Sequence, residues 1–126
     1  LANPDPAIDS MQMANALLHE IRWHKEQARK YYQAHIEKNK PVDMIDKFGK
    51  VMSREDCYIA WISETQVIHT VISKLRNHLV NSLLTKVDQD IFTYQQFNDY
   101  VVGVEEELKK MGYELFPTTV EVIKPL

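Results

Sequence analysis

One cysteine, three glycines and five prolines in 126 residues leave several architectures short of raw material. A lone Cys57 can neither close an internal disulfide nor build a cysteine-based zinc site. So little glycine and proline does not supply the tight turns of an all-β protein. Gly49, Gly103 and Gly112 cannot build a phosphate-cradling loop, a dinucleotide-binding turn or a Gly-x-Ser-x-Gly motif. No apolar run approaches the ~20 residues that a membrane-spanning helix needs. An excess of positive charge is missing too: the formal charge is −3, which argues against a general nucleic-acid binder. The opening Leu1–Ala7 has neither the charged nor the apolar region of a signal peptide. A single free thiol fits a reducing compartment, so the cytoplasm is the expected location. What is present, 44% apolar and 26% charged residues, is ordinary globular composition in a length that suits one domain.

The hydrophobic period is helical. Pro4 and Pro6 mark an extended lead-in over 1–7, and Asp9 or Ser10 is placed to cap the first helix. Over about 8–38, Met11, Ala14, Leu17, Leu18, Ile21, Ala28, Tyr32 and Ile36 recur at steps suited to one helical face. Pro41 stops that helix, because the residue before a proline resists helical geometry. Val42, Ile45 and Phe48 suggest a short helix over about 42–48, closed by Gly49. Ser53 then caps a second long helix over about 54–86, with Glu55 and Asp56 where the helix dipole favours acids. Its stripe is Trp61, Ile68, Ile72, Leu75, Leu79 and Leu83. Thr93 and Gln96 form a capping box for a third helix over about 94–111, with Phe92 and Phe97 as a hydrophobic staple. Phe97, Val101, Val104, Leu108 and Met111 make its buried side. Gly112 stands at the left-handed C′ position, with Tyr113 placed to pack on Leu108. The tail 113–126 reads as extended. Val120 and Val122 alternate with Glu121 like a short strand, but nothing else offers a sheet, so an arm laid on the bundle or on a partner is expected. The fold class is therefore all-α: a single-domain, elongated bundle of three long helices, one short helix and a C-terminal arm.

Chemistry is harder to find. No acid stands three residues before any of the five histidines, so the Glu-x-x-His pairs of di-iron bundles are absent. His19-Glu20 is followed by His24 in an H-E-x-x-x-H spacing. The zinc protease motif is one residue shorter, and the addition swings the second histidine ~100° away. His24 and His35 share a face but stand ~16 Å apart along a helix. Both read as satisfied histidines at the edge of a core. Cys57 falls on the stripe of Trp61 and Ile68 beside Glu55 and Asp56, which reads as a small buried residue and not as a nucleophile. The run Glu105-Glu106-Glu107 continues into Lys109 and Lys110 and lacks carboxylates on other helices to complete a magnesium site. No metal, cofactor or enzymatic activity is expected.

The surface points to binding. Arg22, Lys25 and Arg29, with Lys30 nearby, form a basic stripe that could contact phosphate, although Glu26 pairs within it. Residues 88–114 carry seven acids and two lysines, so the charge is polarised. A helix over 54–86 would be ~50 Å long. One short third helix cannot roof so long a hairpin, which leaves apolar flank open: Val67 and Val71 on one side, Ile62 and Val80 on the other. The outward face Ser63, Gln66, Thr70, Ser73, Asn77 and Asn81 is small and uncharged, which suits close approach of a second helix, and Lys74 alone adds charge there. Trp23 lies ~160° from Ile21 on the helical wheel, among His19, Glu26 and Lys30, as a binding anchor would.

These features predict a non-enzymatic helical module, an inhibitor, adaptor or regulatory subunit, that binds a protein and forms a homodimer. Trp23, His19, Lys30, Ser73 and Asn77 are its candidate contacts. The first alternative is a subunit of a larger assembly that touches nucleic acid through Arg22, Lys25 and Arg29; the second is an enzyme with an atypical site. Many small helical adaptors and inhibitors, phage-encoded ones included, share this shape, an analogy at fold level alone.

Overall fold

A computed structural model describes residues 6–90 and 93–117, and among these the chain is mostly helical with no strand. Helix α1 spans Pro6–Ile36 and α2 spans Arg54–His78; a π-helical turn follows at Leu79–Leu83, then α3 at Leu84–Asp88 and α4 at Tyr94–Lys110. The chain gathers into two compact units. One comprises His19–Val71, and the other the described parts of Leu1–Leu18 and Ile72–Leu126.

Within the first unit, Ile21, Ala28, Cys57, Ile68 and Val71 form the core. Within the second, Ala14, Leu18, Ile72, Leu75, Leu79, Leu83, Val104, Leu108 and Leu115 do so. Most of the expected stripes are therefore buried. Met11, Leu17, Trp61, Phe97, Val101 and Met111 are half-buried, and Tyr32 and Ile36, which continue the α1 stripe, stay exposed.

Four expectations are corrected. Helix α1 begins at Pro6, so Pro6 and Ala7 are helical and Asp9 and Ser10 lie inside the helix. Proline suits the first helical turn, where its missing N–H would have no partner. The helix expected over 42–48 is absent. Pro41 blocks continuation, and Asp46 turns the chain by accepting the N–H groups of Phe48 (2.8 Å) and Lys50 (3.0 Å). Gly49, at φ 80°, completes the turn, and Ile45 pairs with Val51 in an antiparallel bridge. The helix expected over 54–86 continues to Asp88 but is interrupted by the π turn, where Leu84 N–H reaches the Leu79 carbonyl. Leu75, Leu79, Leu83 and Val87 are spaced by four, whereas an α-helix turns every 3.6 residues. Three such turns accumulate about one surplus residue, which a π turn absorbs. Lastly, Val71 is buried, not part of an open flank; Val67 and Val80 do remain exposed.

The ends of α4 follow the expected code. Thr93 and Gln96 form a reciprocal capping box. Gly112 stands at φ 90°, with its N–H on the Lys109 carbonyl (3.0 Å) and that of Tyr113 on Leu108 (2.9 Å), a Schellman closure. Phe92 of the expected staple and the tail from residue 118 lie outside the described residues. Arg76 Nε donates to the Leu115 carbonyl at 2.6 Å, and Leu115 is buried. The Tyr100 hydroxyl donates to the Met11 carbonyl at 3.0 Å.

Candidate functional site

The segment between α1 and α2 concentrates exposed apolar surface. Phe48 is 79% exposed, Val51 66%, Ile45 62% and Ile59 61%. The first three stand on the Asp46–Gly49 turn and its bridge. That turn is held by its own backbone: Asp46 N–H donates to the Lys50 carbonyl and Met52 N–H to Met44, both at 2.8 Å. Order here comes from hydrogen bonds, so the apolar side chains need not be buried to fix the loop.

Arg54 anchors this region from the first turn of α2. Its guanidinium donates to the carbonyls of Ala34, Glu37, Lys38 and Lys40 at 2.5–3.1 Å. A cation at the start of a helix opposes that helix's dipole, but here it faces the negative end of α1 and satisfies carbonyls at and beyond its last turn. His35 Nδ1–H donates back to the Arg54 carbonyl at 3.0 Å, which places the ring's proton on Nδ1.

Beside this anchor, aromatic rings form a chain: His35 with Tyr58 (4.9 Å between centroids), Tyr58 with Trp61 (5.7 Å) and Trp61 with Tyr32 (5.0 Å). A hollow of about 290 Å³ lies between His35, Glu55, Tyr58 and Ile59. A larger groove of about 890 Å³ runs on the other side of Ile59, with Tyr31, Ile45, Lys47, Phe48 and Met52 along it. Lys47 Nζ sits 5.2 Å from the Phe48 ring centroid.

The expected site residues fall into separate places. Trp23, His19 and Lys30 are exposed on one face of α1, and Trp23 meets the His24 ring edge to face at 4.9 Å. Ser73 is half-buried and Asn77 exposed; both belong to the other unit. On the neutral face of α2, the Thr70 hydroxyl is satisfied by the Gln66 carbonyl of its own helix. In the basic stripe, Arg29 is gripped by Glu26 through Nε (3.1 Å) and Nη2 (2.6 Å). This pairing holds the Glu26 carboxyl below its ordinary pKa and raises that of Arg29. Lys25 is half-buried and Arg22 exposed, and each has a partner.

The histidines on the core edge are satisfied ones. His24 Nδ1–H donates to Glu64 at 2.5 Å, with Glu20 3.9 Å from Nε2. Among the described residues no group of three or more His, Cys, Asp or Glu is arranged to hold a metal ion. Cys57 is fully buried, and burial, aided by neighbouring Asp56, pushes its thiol pKa up against the pull of Arg54. Both effects favour the thiol over the thiolate, the form in which cysteine is the weaker nucleophile. No described helix is long and apolar enough to cross a membrane.

The exposed turn was legible in one respect. Asp46-Lys47-Phe48-Gly49 has aspartate first and glycine fourth, the preference of a type I turn, with Ile45 and Val51 flanking it. The three-residue spacing of Val42, Ile45 and Phe48 imitates a helix and hides that signal. Comparison with protein-family models, with curated proteins and with solved structures finds no match to this chain.

Proposed function

We infer that the chain is a non-enzymatic helical module that acts by binding protein, itself included, in the manner of an inhibitor, adaptor or regulatory subunit. The observation that carries this reading is the set Ile45, Phe48, Val51 and Ile59, large apolar side chains kept in water on one ordered surface. Scattered single apolar residues on a surface need no explanation, but a contiguous patch is what partners bury. Phe48 and Tyr58 bring aromatic surface to it and Lys47 and Glu55 bring charge, a mixture that protein interfaces share. Trp23 supplies a second exposed anchor on α1.

The test is affinity capture from cells expressing the tagged chain, beside a Phe48→Asp/Ile59→Asp variant whose circular dichroism matches wild type. Proteins held by wild type and lost from the variant support the reading. Equal capture by both would move binding to another surface, with Trp23→Ala and Ser73→Glu/Asn77→Lys as the next variants.

A further inference from the structure

Resting on that reading, we propose that the occupant of this surface is a second copy of the chain, related by a two-fold axis. The Lys47–Phe48 tip of each copy seats in the hollow between His35, Glu55, Tyr58 and Ile59 of the other.

The chain carries both halves of such a contact. The tip is pre-ordered: two hydrogen bonds to Asp46 and the positive φ of Gly49 fix the turn, so little conformational freedom is lost when Phe48 docks. The hollow has suitable walls: it is a solvent-open depression of about 290 Å³ in which His35 and Tyr58 offer aromatic edges and faces to a phenyl group.

Charge matches as well as shape. Glu55 is exposed on the hollow's wall, and Lys47 rides over the Phe48 ring. Neither makes an ion pair with another described residue. Seating Phe48 in a partner's hollow carries the Lys47 ammonium towards the partner's Glu55. Ile59 lines both the hollow and the groove beside the tip, so a two-fold axis near Ile59 exchanges the two sides and makes both contacts at once. Phe48, Val51, Ile45 and Ile59 each keep more than half of their surface in water, apolar area that a second copy would cover. A foreign protein would have to bring its own matching tip and hollow; a second copy already has them.

The experiment is sedimentation equilibrium of the full chain over micromolar concentrations, with circular dichroism confirming that each variant is folded. Wild type is expected to dimerise, and Phe48→Ala to weaken the dimer about 30-fold, as loss of a central aromatic anchor does. Lys47→Glu alone and Glu55→Lys alone each place like charges at both contacts, and each is expected to weaken it about 10-fold. Mixing those two single variants puts opposite charges at both contacts of the mixed dimer, and association should return to within threefold or so of wild type. A dimer unmoved by all three substitutions would overturn the proposal and leave self-association to another face, such as that of Ser73 and Asn77. A wild type that stays monomeric overturns it too. Protein capture that still depends on Phe48 would then preserve the wider reading with a foreign occupant.

Discussion

Helix α4 closes its C-terminus with its own backbone, using Gly112 in the left-handed region to fold two N–H groups back onto Leu108 and Lys109. Helix α1 closes with a side chain sent from another helix: the Arg54 guanidinium spans four carbonyls from Ala34 to Lys40. The physical need is the same, since every helix ends in carbonyls without intrahelical partners. The local solution uses one permissive residue. The non-local solution also fixes where the 41–52 segment leaves α1 and where α2 begins, and so sets the frame of the exposed turn.

That difference should be measurable. Arg54→Ala is expected to cost the most, about 3 kcal/mol, because several charge-assisted hydrogen bonds are lost together. Arg54→Lys should recover less than half, as one ammonium cannot reproduce a planar fork. Urea unfolding monitored by circular dichroism reads both. Gly112→Ala is expected to cost about 1–2 kcal/mol, the penalty of a Cβ in the left-handed region. If Arg54→Ala costs less than Gly112→Ala, the guanidinium is not what closes α1.

Tyr100 extends the comparison to the other unit, where its hydroxyl links α4 to the Met11 carbonyl of α1. Tyr100→Phe should cost about 1 kcal/mol at neutral pH. Burial also raises the phenol pKa of Tyr100 and Tyr113 above the ordinary 10.0. A group whose folded pKa is raised contributes stability that is present below its unfolded pKa and lost as pH rises through its folded value. Stability should therefore fall above pH 10, and Tyr100→Phe should make that fall shallower. A denaturation midpoint that is flat between pH 9 and 11 would contradict the burial argument.

The smallest effect has the opposite sign. Gly103 sits inside α4 with open space where a Cβ would go and no positive φ. Gly103→Ala is expected to stabilise the protein by about 0.5–1 kcal/mol, through helix propensity and a less flexible unfolded chain. A loss of stability in a thermal melt would mean that a neighbour needs the missing side chain.

Legibility in the sequence divides along the same line between local and non-local contacts. Thr93, Gln96 and Gly112 act on residues three or four away, and each behaves as its local pattern implies. The Ile68–Leu83 stripe is buried because a helical period survives without knowledge of its neighbours. Arg54 was invisible as an anchor: in sequence it is a basic residue in an unfavourable first turn, and its partners appear only when α1 and α2 pair. The exposed turn failed for a related reason. Ile45 and Phe48 look like core residues until Asp46 is seen to hold the backbone. Trp23 was legible as exposed from the wheel alone, whereas the ring chain from Tyr32 to His35 needed two helices to assemble.

The π turn at Leu79–Leu83 bears on insertions and deletions. In an uninterrupted α-helix, removing one residue rotates everything downstream by ~100° and carries the apolar stripe off the core. Here the spacing of Leu75, Leu79, Leu83 and Val87 already holds about one residue more than three α turns use. Deleting Asn81, which is exposed on that turn, is expected to leave a regular helix with Leu83 still in the core. The helical run from Arg54 to Asp88 therefore has one position at which it can be shortened and still be read.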